Sequence, residues 1–198
     1  MRLWTVQNEF FWERLEAVGE ITADLALVAA GLCCEGERFR NAYEWLARRM
    51  DEKIGGRPLP GAMPLWAWWQ WCGETRARPD LRASGHLPKG ERGVRIEFEI
   101  DPALVVLSDF NLWHFPLNYW YIGESEEDSE SFDAELAARG LDPHARNLPG
   151  SVRRRIEGSW ERVFDLDSGR GRSEKCVQAT LWRISLDTVA GVKKFVAR

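Results

Sequence analysis

Apolar residues recur along this chain in two periods, one typical of strands and the other of helices. From Val94 to Ile100, apolar and charged side chains alternate, which predicts a strand with one face in water. Between Phe39 and Ile54 the apolar residues follow helical spacing, which predicts an amphipathic helix that Gly55 and Gly56 end. Asn8 is expected to cap an earlier helix, directly after a short opening strand. The two periods together predict an α+β fold.

Aromatic residues fill the stretch Met63–Trp71 at odd and even positions alike, which predicts a central strand covered on both faces. The stretch 23–32 fits a buried helix or a buried strand equally well. Pro116 is expected to start a short helix that runs to about Ile122, because proline suits the first helical position. The remaining predicted elements are a strand or buried extension at 104–107, helices ending near 139 and spanning 151–164, a solvated loop at 167–175, a strand at 176–184 and a turn or helix at 187–192.

These elements predict a single globular domain over residues 1–198. We expect a mixed or antiparallel sheet of about five or six strands with helices packed around it. The polar stretch 73–92 is the longest predicted loop and a candidate for a mobile lid.

Composition narrows the class of protein. A net charge of −4 argues against a protein that coats nucleic acid, although a local basic groove remains open. No apolar run is long enough for a membrane helix and no signal peptide is recognisable, so we expect a cytoplasmic protein without a membrane partner. The spacing of the cysteines indicates reduced structural thiols, and the histidines are too far apart for a zinc site. The cysteines are Cys33, Cys34, Cys72 and Cys176.

The segment Ser108–Asn118 is the strongest candidate for a site, because polar and aromatic residues crowd the end of an apolar strand. In this interpretation His114 transfers a proton or donates a hydrogen bond, and Asp109 orients it or a substrate. The alternative is that Asp109 and Asn111 cap a turn while His114 is a satisfied core histidine. We expect Pro116 to separate Asn118 from the site loop.

Three other groups have a functional and a structural interpretation. Arg82, with Arg78, either clamps a phosphate or pairs with acidic side chains. The tryptophans of 66–71 either stack on a nucleobase, a nicotinamide or a sugar, or fill the core. The arginines of 153–155 either bind nucleic acid or pair with the acidic run that begins at Glu124.

The chain resembles a bacterial family described as a domain of unknown function (DUF3841). The resemblance extends over almost the full length and rests on short motifs spread along the chain. They are Leu3-Trp4-Thr5-Val6-Gln7, Pro64-Leu65-Trp66-Ala67-Trp68, Pro79-Asp80-Leu81-Arg82, Ser108-Asp109-Phe110 with Trp113-His114 and Leu117-Asn118, Ser159-Trp160-Glu161 and Val177-Gln178-Ala179.

The order of elements is also similar to that of small ADP-ribosyltransferase-like toxins. That resemblance implies NAD as cofactor, with Thr5 and Gln7 on the opening strand contacting it. It also implies that Arg82 holds phosphate, Trp113 stacks, and Gln178 stands where those enzymes carry a catalytic glutamate. With glutamine at this position, either the chemistry differs, the carboxylate is Glu161 or Asp109, or the fold serves binding alone.

Two classes of function follow. The first is a nucleotide- or NAD-utilising transferase of the ADP-ribosyltransferase type, with His114, Asp109 and Gln178 at the reacting centre. The second is a non-catalytic, tryptophan-rich module that binds nucleic acid or a protein partner, of which an antitoxin-like partner protein is one form.

Overall fold

Two antiparallel sheets organise the fold. The computed structural model describes residues 1–24, 36–142, 148–169 and 171–198. The strands are β1 Arg2–Asn8, β2 Glu20–Asp24, β3 Ala62–Met63, β4 Leu65–Gln70, β5 Arg92–Glu99, β6 Val106–Asp109, β7 Val177–Leu181, β8 Arg183–Ser185 and β9 Val189–Val196. A six-stranded sheet has the order β6-β7-β4-β1-β5-β9, and a three-stranded sheet has the order β3-β2-β8. Every pairing among these strands is antiparallel.

Helices pack on both faces of the larger sheet, which confirms the α+β prediction. They are α1 Glu9–Val18, α2 Gly36–Lys53, α3 Phe110–Asn118, α4 Glu126–Ala138 and α5 Gly150–Ser159. Short 3-10 turns cover Glu74–Arg76, Pro102–Leu104, Trp160–Phe164, Arg172–Glu174 and Leu186–Thr188. Asn8 caps α1 as predicted, accepting a hydrogen bond from the Phe11 N–H at 3.0 Å. None of the described helices is long and apolar enough to cross a membrane.

The core has two parts, one on each face of the sheet. On one face, Leu3, Ile96 and Phe98 pack with Leu15 of α1. On the other face, the core contains Trp45 of α2, Trp113 of α3 and further buried apolar side chains. They are Val106, Phe132, Leu136, Val152, Ile156, Trp160 and Val163. Strand β4 contributes to both parts, because Ala67 packs on the first face and Trp66 on the second. The prediction that this strand is central and covered on both faces is confirmed.

The prediction of a helix from Pro116 to about Ile122 is wrong. Helix α3 begins six residues earlier, at Phe110, and ends at Asn118 with Pro116 inside it. The Asp109 side chain accepts hydrogen bonds from the N–H groups of Asn111 and Leu112, so it fixes the start of the helix. Pro116 lies near the C-terminal end of a short helix, where its missing N–H costs one intrahelical bond.

Three other predicted elements differ from the structure. The strand expected at 176–184 breaks at Trp182 into β7 and β8, which belong to different sheets. The turn or helix expected at 187–192 is a 3-10 turn followed by the edge strand β9. Within the solvated loop expected at 167–175, Lys175 is buried.

Some predictions fall on residues that the structure does not describe. The stretch 23–32 begins in strand β2, which ends at Asp24, and its remainder lies outside the described residues. Cys33, Cys34 and His144 also lie outside them.

Hydrogen bonds close the first turn of the loop between β4 and β5 and also join this loop to β5. Its first turn is closed by the N–H groups of Trp71 and Cys72, which donate to the carbonyls of Ala77 and Arg76. Further along, Arg95 of β5 donates to the Pro79 carbonyl at 2.7 Å. These contacts hold the loop against the strand face that carries Arg95.

Candidate functional site

A row of four side chains crosses adjacent strands of the larger sheet. Ser108 lies opposite Gln178, Gln178 opposite Trp68, and Trp68 opposite Trp4. Residues that are directly opposite in antiparallel strands share one face of the sheet. The Ser108 hydroxyl and the Gln178 side-chain carbonyl are buried and form no hydrogen bond with the rest of the described chain. Because buried polar atoms are almost always satisfied, this pair has hydrogen-bonding capacity left for a ligand or water.

His114 is connected to this row through Phe110. The His114 ring packs edge-on against Phe110 with 5.0 Å between centroids, and Phe110 packs against Trp68 with 5.0 Å between centroids. The imidazole is exposed, and its Nδ1 lies 3.0 Å from the Phe110 carbonyl oxygen. Asn118 shares its helix face and donates to the His114 carbonyl at 2.8 Å. The expected separation of Asn118 from this segment is therefore wrong, because both residues belong to α3.

Asp109 is directed away from the row, since neighbouring residues of a strand point to opposite faces. Its carboxylate caps α3, with 2.9 Å to the Asn111 nitrogen, and forms a buried ion pair with Lys175. The Lys175 Nζ lies 3.3 Å from Asp109 Oδ2, and the two side chains are 6% and 8% exposed. Lys175 Nζ also donates to the Asp165 carbonyl at 3.1 Å.

The ion pair forms part of the wall of a cavity of about 600 Å³. Cationic, acidic and apolar side chains all line it. The lining residues are Asp109, Asn111, Leu112, Ile122, Gly123, Glu124, Arg162, Asp165, Ser168, Gly169, Glu174 and Lys175. Arg162 pairs with Glu124 through Nη2 at 2.5 Å, and its Nε is buried without a hydrogen bond to the described residues. Ser168 and the backbone N–H groups of Asp167 and Ser168 donate to the Asp165 carboxylate and lower its pKa.

Chemically, this cavity offers two cationic donors beside a carboxylate. Lys175 and Arg162 can donate to phosphate or carboxylate oxygens, whereas Asp109 can accept from a hydroxyl or an amide. A volume of about 600 Å³ lies within the range of small-molecule sites. Among the described residues, no three histidine, cysteine, aspartate or glutamate side chains are grouped as a metal site would require.

Thr5 and Gln7 lie on the opposite face of the sheet from Gln178. Trp4 belongs to the row of Gln178, and the side chains of β1 alternate between the two faces. The buried Thr5 hydroxyl donates to the Trp66 carbonyl, and Gln7 donates to the Thr5 hydroxyl, both at 2.9 Å. The structure therefore does not bring these two residues together with Gln178.

Trp113 and Arg82 belong neither to the row of Gln178 nor to the cavity of Asp109 and Lys175. Trp113 is buried in the core, with its ring centroid 5.1 Å from that of Trp66 and 6.0 Å from that of Tyr43. Arg82 is exposed on the loop between β4 and β5, where its guanidinium pairs with both carboxylate oxygens of Asp80. This pairing holds the pKa of Asp80 well below its usual range.

Arg153 and Arg155, two of the arginines expected to bind nucleic acid or the acidic run, have side-chain partners. Arg155 lies 2.6 Å from Glu135 at the end of the acidic run, and Arg153 donates to the Tyr119 hydroxyl.

Sequence reasoning missed Lys175 and Arg162 as site residues. Lys175 lies two residues before the strand that carries Gln178, in a run of charged and small residues that predicts a solvated loop. Its burial depends on Asp109, which is distant in the sequence. The local signal is a lysine placed two residues before an apolar strand.

Comparison with known protein families assigns the chain to one of them. A family model described as a domain of unknown function (DUF3841) matches residues 2–190. The chain belongs to this family. No curated protein and no solved structure matches the chain. Membership of DUF3841 confirms the family expected from the motifs, whereas the similarity to ADP-ribosyltransferase-like toxins stays a prediction.

Proposed function

We propose that this DUF3841 protein binds a nucleotide, with NAD as the first candidate, in the cavity beside Asp109 and Lys175. The observation that carries the proposal is the buried Lys175–Asp109 pair in the wall of a cavity of about 600 Å³. A buried lysine and carboxylate are costly to desolvate, so their presence at a cavity wall supports a role in binding.

Each part of a nucleotide has a matching group in the lining. Lys175 and Arg162 supply donors for phosphate oxygens, and Asp109 supplies an acceptor for ribose hydroxyls. Leu112 and Ile122 provide apolar surface against which a base can pack.

In its finer form the proposal is transfer of ADP-ribose. The bond between ribose C1′ and the nicotinamide nitrogen of NAD breaks, nicotinamide leaves, and a nucleophilic atom of the acceptor bonds to C1′ and loses its proton. The resemblance in element order gives Gln178 the position nearest this carbon. Gln178 does not line the cavity and points away from Asp109, so the transfer form requires this ribose to lie outside the cavity while Lys175 and Arg162 hold the phosphates. The Gln178 side-chain carbonyl is neutral, so it would hold a ribose hydroxyl rather than balance a full positive charge. Asp109 then acts within the cavity, whereas the exposed His114, which contacts Phe110 beside the row of Gln178, is the predicted proton carrier.

Calorimetric titration tests the binding step with three probes: NAD, ADP and adenosine. The test variant is the double substitution Lys175→Met with Asp109→Asn, which removes both charges together and avoids an unpaired buried ion. We expect NAD and ADP to bind the unmodified protein, adenosine to bind at least about tenfold more weakly, and the double variant to lose this difference. Arg82→Ala is the matched control and should bind as the unmodified protein does. Failure of NAD and ADP to bind, or equal binding of adenosine, would contradict the proposal.

Incubation with NAD labelled in the ribose tests the transfer step separately. Labelled product that is lost in Gln178→Ala and kept in Gln7→Ala would support the transferase form, because these two glutamines lie on opposite faces of the sheet. Binding of NAD without nicotinamide release or label transfer would leave nucleotide binding in place and reject the transferase.

A further inference from the structure

A second cavity, of about 240 Å³, lies where the end of α3 meets α4 and α5. Five aromatic side chains dominate its lining, together with one carboxylate. The lining residues are Phe115, Tyr119, Trp120, Tyr121, Ser129, Phe132, Asp133 and Ile156. None of them lines the cavity of Asp109 and Lys175. This aromatic cavity is therefore a separate place in the fold.

The rings form walls in different orientations. Phe115 and Trp120 meet at 82° with 6.1 Å between centroids, whereas Tyr121 and Phe132 are stacked at 22° with 4.2 Å between centroids. Trp120 remains 40% exposed, which leaves the cavity open on that side. Aromatic walls set at right angles can surround a compact group from several directions.

Carboxylates make this aromatic lining attractive to a cation. Tyr119 donates its hydroxyl hydrogen to Glu157 at 2.6 Å, and Tyr121 donates to Asp128 at 2.8 Å. These hydrogen bonds place negative charge on the phenol oxygens, which is partly offset by Arg153, donating to the Tyr119 oxygen at 3.2 Å, and by Arg155, lying on the Tyr121 ring. Asp133 adds a further carboxylate among the lining residues.

The protein already places one cation on two of these rings. The Arg155 guanidinium lies 5.4 Å from the Tyr121 centroid and 4.8 Å from the Phe132 centroid. Its charge is balanced by Glu135, at 2.6 Å. Arg155 already covers ring surface of this stacked pair, so the surface left for a ligand belongs mainly to Phe115, Tyr119 and Trp120, with the Asp133 carboxylate also in the lining.

The backbone holds the aromatic residues in an unusual conformation. Tyr119 directly follows α3 and caps its C-terminal end with φ of +60°, a left-handed conformation that glycine normally adopts at this position. The Trp120 N–H then donates to the Phe115 carbonyl at 2.9 Å, which brings the two residues of the right-angled wall together. Left-handed non-glycine residues cost energy and are concentrated at functional sites.

We propose that this aromatic cavity binds a quaternary or methylated ammonium group. Such a group is compact enough for the cavity volume. Its positive charge suits the carboxylate, and its apolar surface suits the aromatic rings. A planar base fits the cavity less well, because a volume of about 240 Å³ is below that of typical drug-sized sites.

The decisive experiment compares choline with 3,3-dimethylbutan-1-ol, in which carbon replaces the charged nitrogen. The two molecules have nearly the same shape, so calorimetric titration separates attraction to a cation from simple hydrophobic binding. We expect choline to bind at least about tenfold more tightly than its neutral counterpart. Equal binding of the two would overturn the proposal, and so would failure of choline to bind saturably.

Two variants locate the binding. Trp120→Leu removes one wall, and Asp133→Asn removes the carboxylate of the lining. Each variant should bind choline more weakly than the unmodified protein does. Asp133→Asn should leave the titration with the neutral ligand unchanged. Phe10→Leu is the matched control, because Phe10 is an exposed aromatic residue on α1. Urea unfolding confirms that each variant is folded. Choline binding that survives both test variants would place it elsewhere and reject this cavity.

Discussion

Two ion pairs of this protein have opposite combinations of geometry and burial. Asp80 and Arg82 form a bidentate pair with contacts of 2.7, 2.9 and 3.1 Å, but their side chains are 39% and 79% exposed. Asp109 and Lys175 make a single contact of 3.3 Å and are almost completely buried. The better geometry thus belongs to the pair in water, where screening and side-chain entropy cancel most of its attraction.

The comparison leads us to expect that burial, more than contact geometry, decides how strongly the loss of a pair lowers the free energy of unfolding. The exposed pair joins two residues of one turn and constrains little beyond it. The buried pair joins the start of α3 to the segment that leads into β7, and at 6% and 8% exposure each charge depends on its partner more than on water. The predictions below follow from this difference.

The largest effect is expected for Lys175→Met. It leaves the Asp109 carboxylate buried without its cation, so the free energy of unfolding should fall by about 3–5 kcal/mol. Urea unfolding followed by circular dichroism measures this change. Adding Asp109→Asn should restore a large part of the loss, since asparagine also caps helices and carries no charge. A single variant with the stability of the unmodified protein would show that the pair is hydrated and the comparison wrong.

The same argument applies to a partly buried group without a charged partner. Tyr43 packs between Trp66 and Trp113, and burial raises the pKa of its phenol. The folded chain then keeps a proton that the unfolded chain loses above pH 10, so the free energy of unfolding should fall as pH rises. The slope for one group reaches at most about 1.4 kcal/mol per pH unit.

Tyr43→Phe should make this alkaline decline shallower, as measured by urea unfolding between pH 9 and 11. Burial also raises the pKa values of Tyr119 and Tyr121, so part of the decline should persist in the variant. An unchanged slope would mean that Tyr43 ionises freely in the folded protein.

Local signals were sufficient to predict several elements of the fold. The cap at Asn8, the amphipathic face of α2 and the alternation in β5 are each set by residues a few positions apart. Strand β9 was missed because it lies at a sheet edge, where most of its side chains are in water and hydrophobic alternation is lost.

The candidate site was predictable only in part, because its contacts join distant segments. The sequence pattern indicates Asp109 as a site or capping residue, and the structure shows it in the cap of α3 beside the larger cavity. The burial of Lys175, the register that aligns Gln178 with Ser108, and the placement of Thr5 on the other face depend on tertiary pairing. Single-sequence patterns carry none of this information.

A smaller effect tests whether the two helix caps differ as the ion pairs do. Asn8 caps α1 from an exposed position, whereas Asp109 caps α3 from a buried one. Asn8→Ala should therefore cost only the usual value for a cap, about 1 kcal/mol, in urea unfolding. Asn8→Ser, which keeps an acceptor oxygen, is the matched control and should cost less. A loss as large as that of Lys175→Met would remove the distinction between the caps.

The smallest effect is expected for Arg82→Ala, which breaks the pair with the better geometry. Because both side chains are exposed, the urea midpoint should not change measurably, and raising the salt concentration should shift the midpoints of the variant and the unmodified protein equally. The pKa of Asp80 should rise part of the way toward its ordinary value, because the Arg82 side chain is the largest cause of its lowering while the Arg82 backbone N–H still donates to the carboxylate. Carbon-detected NMR titration of the carboxyl would record this rise. A loss of stability in this variant would mean that contact geometry outweighs burial, and the ranking of the two pairs would be reversed. The expected combination, a clear shift of the pKa with no change in unfolding, would show that a strong local interaction need not stabilise the fold.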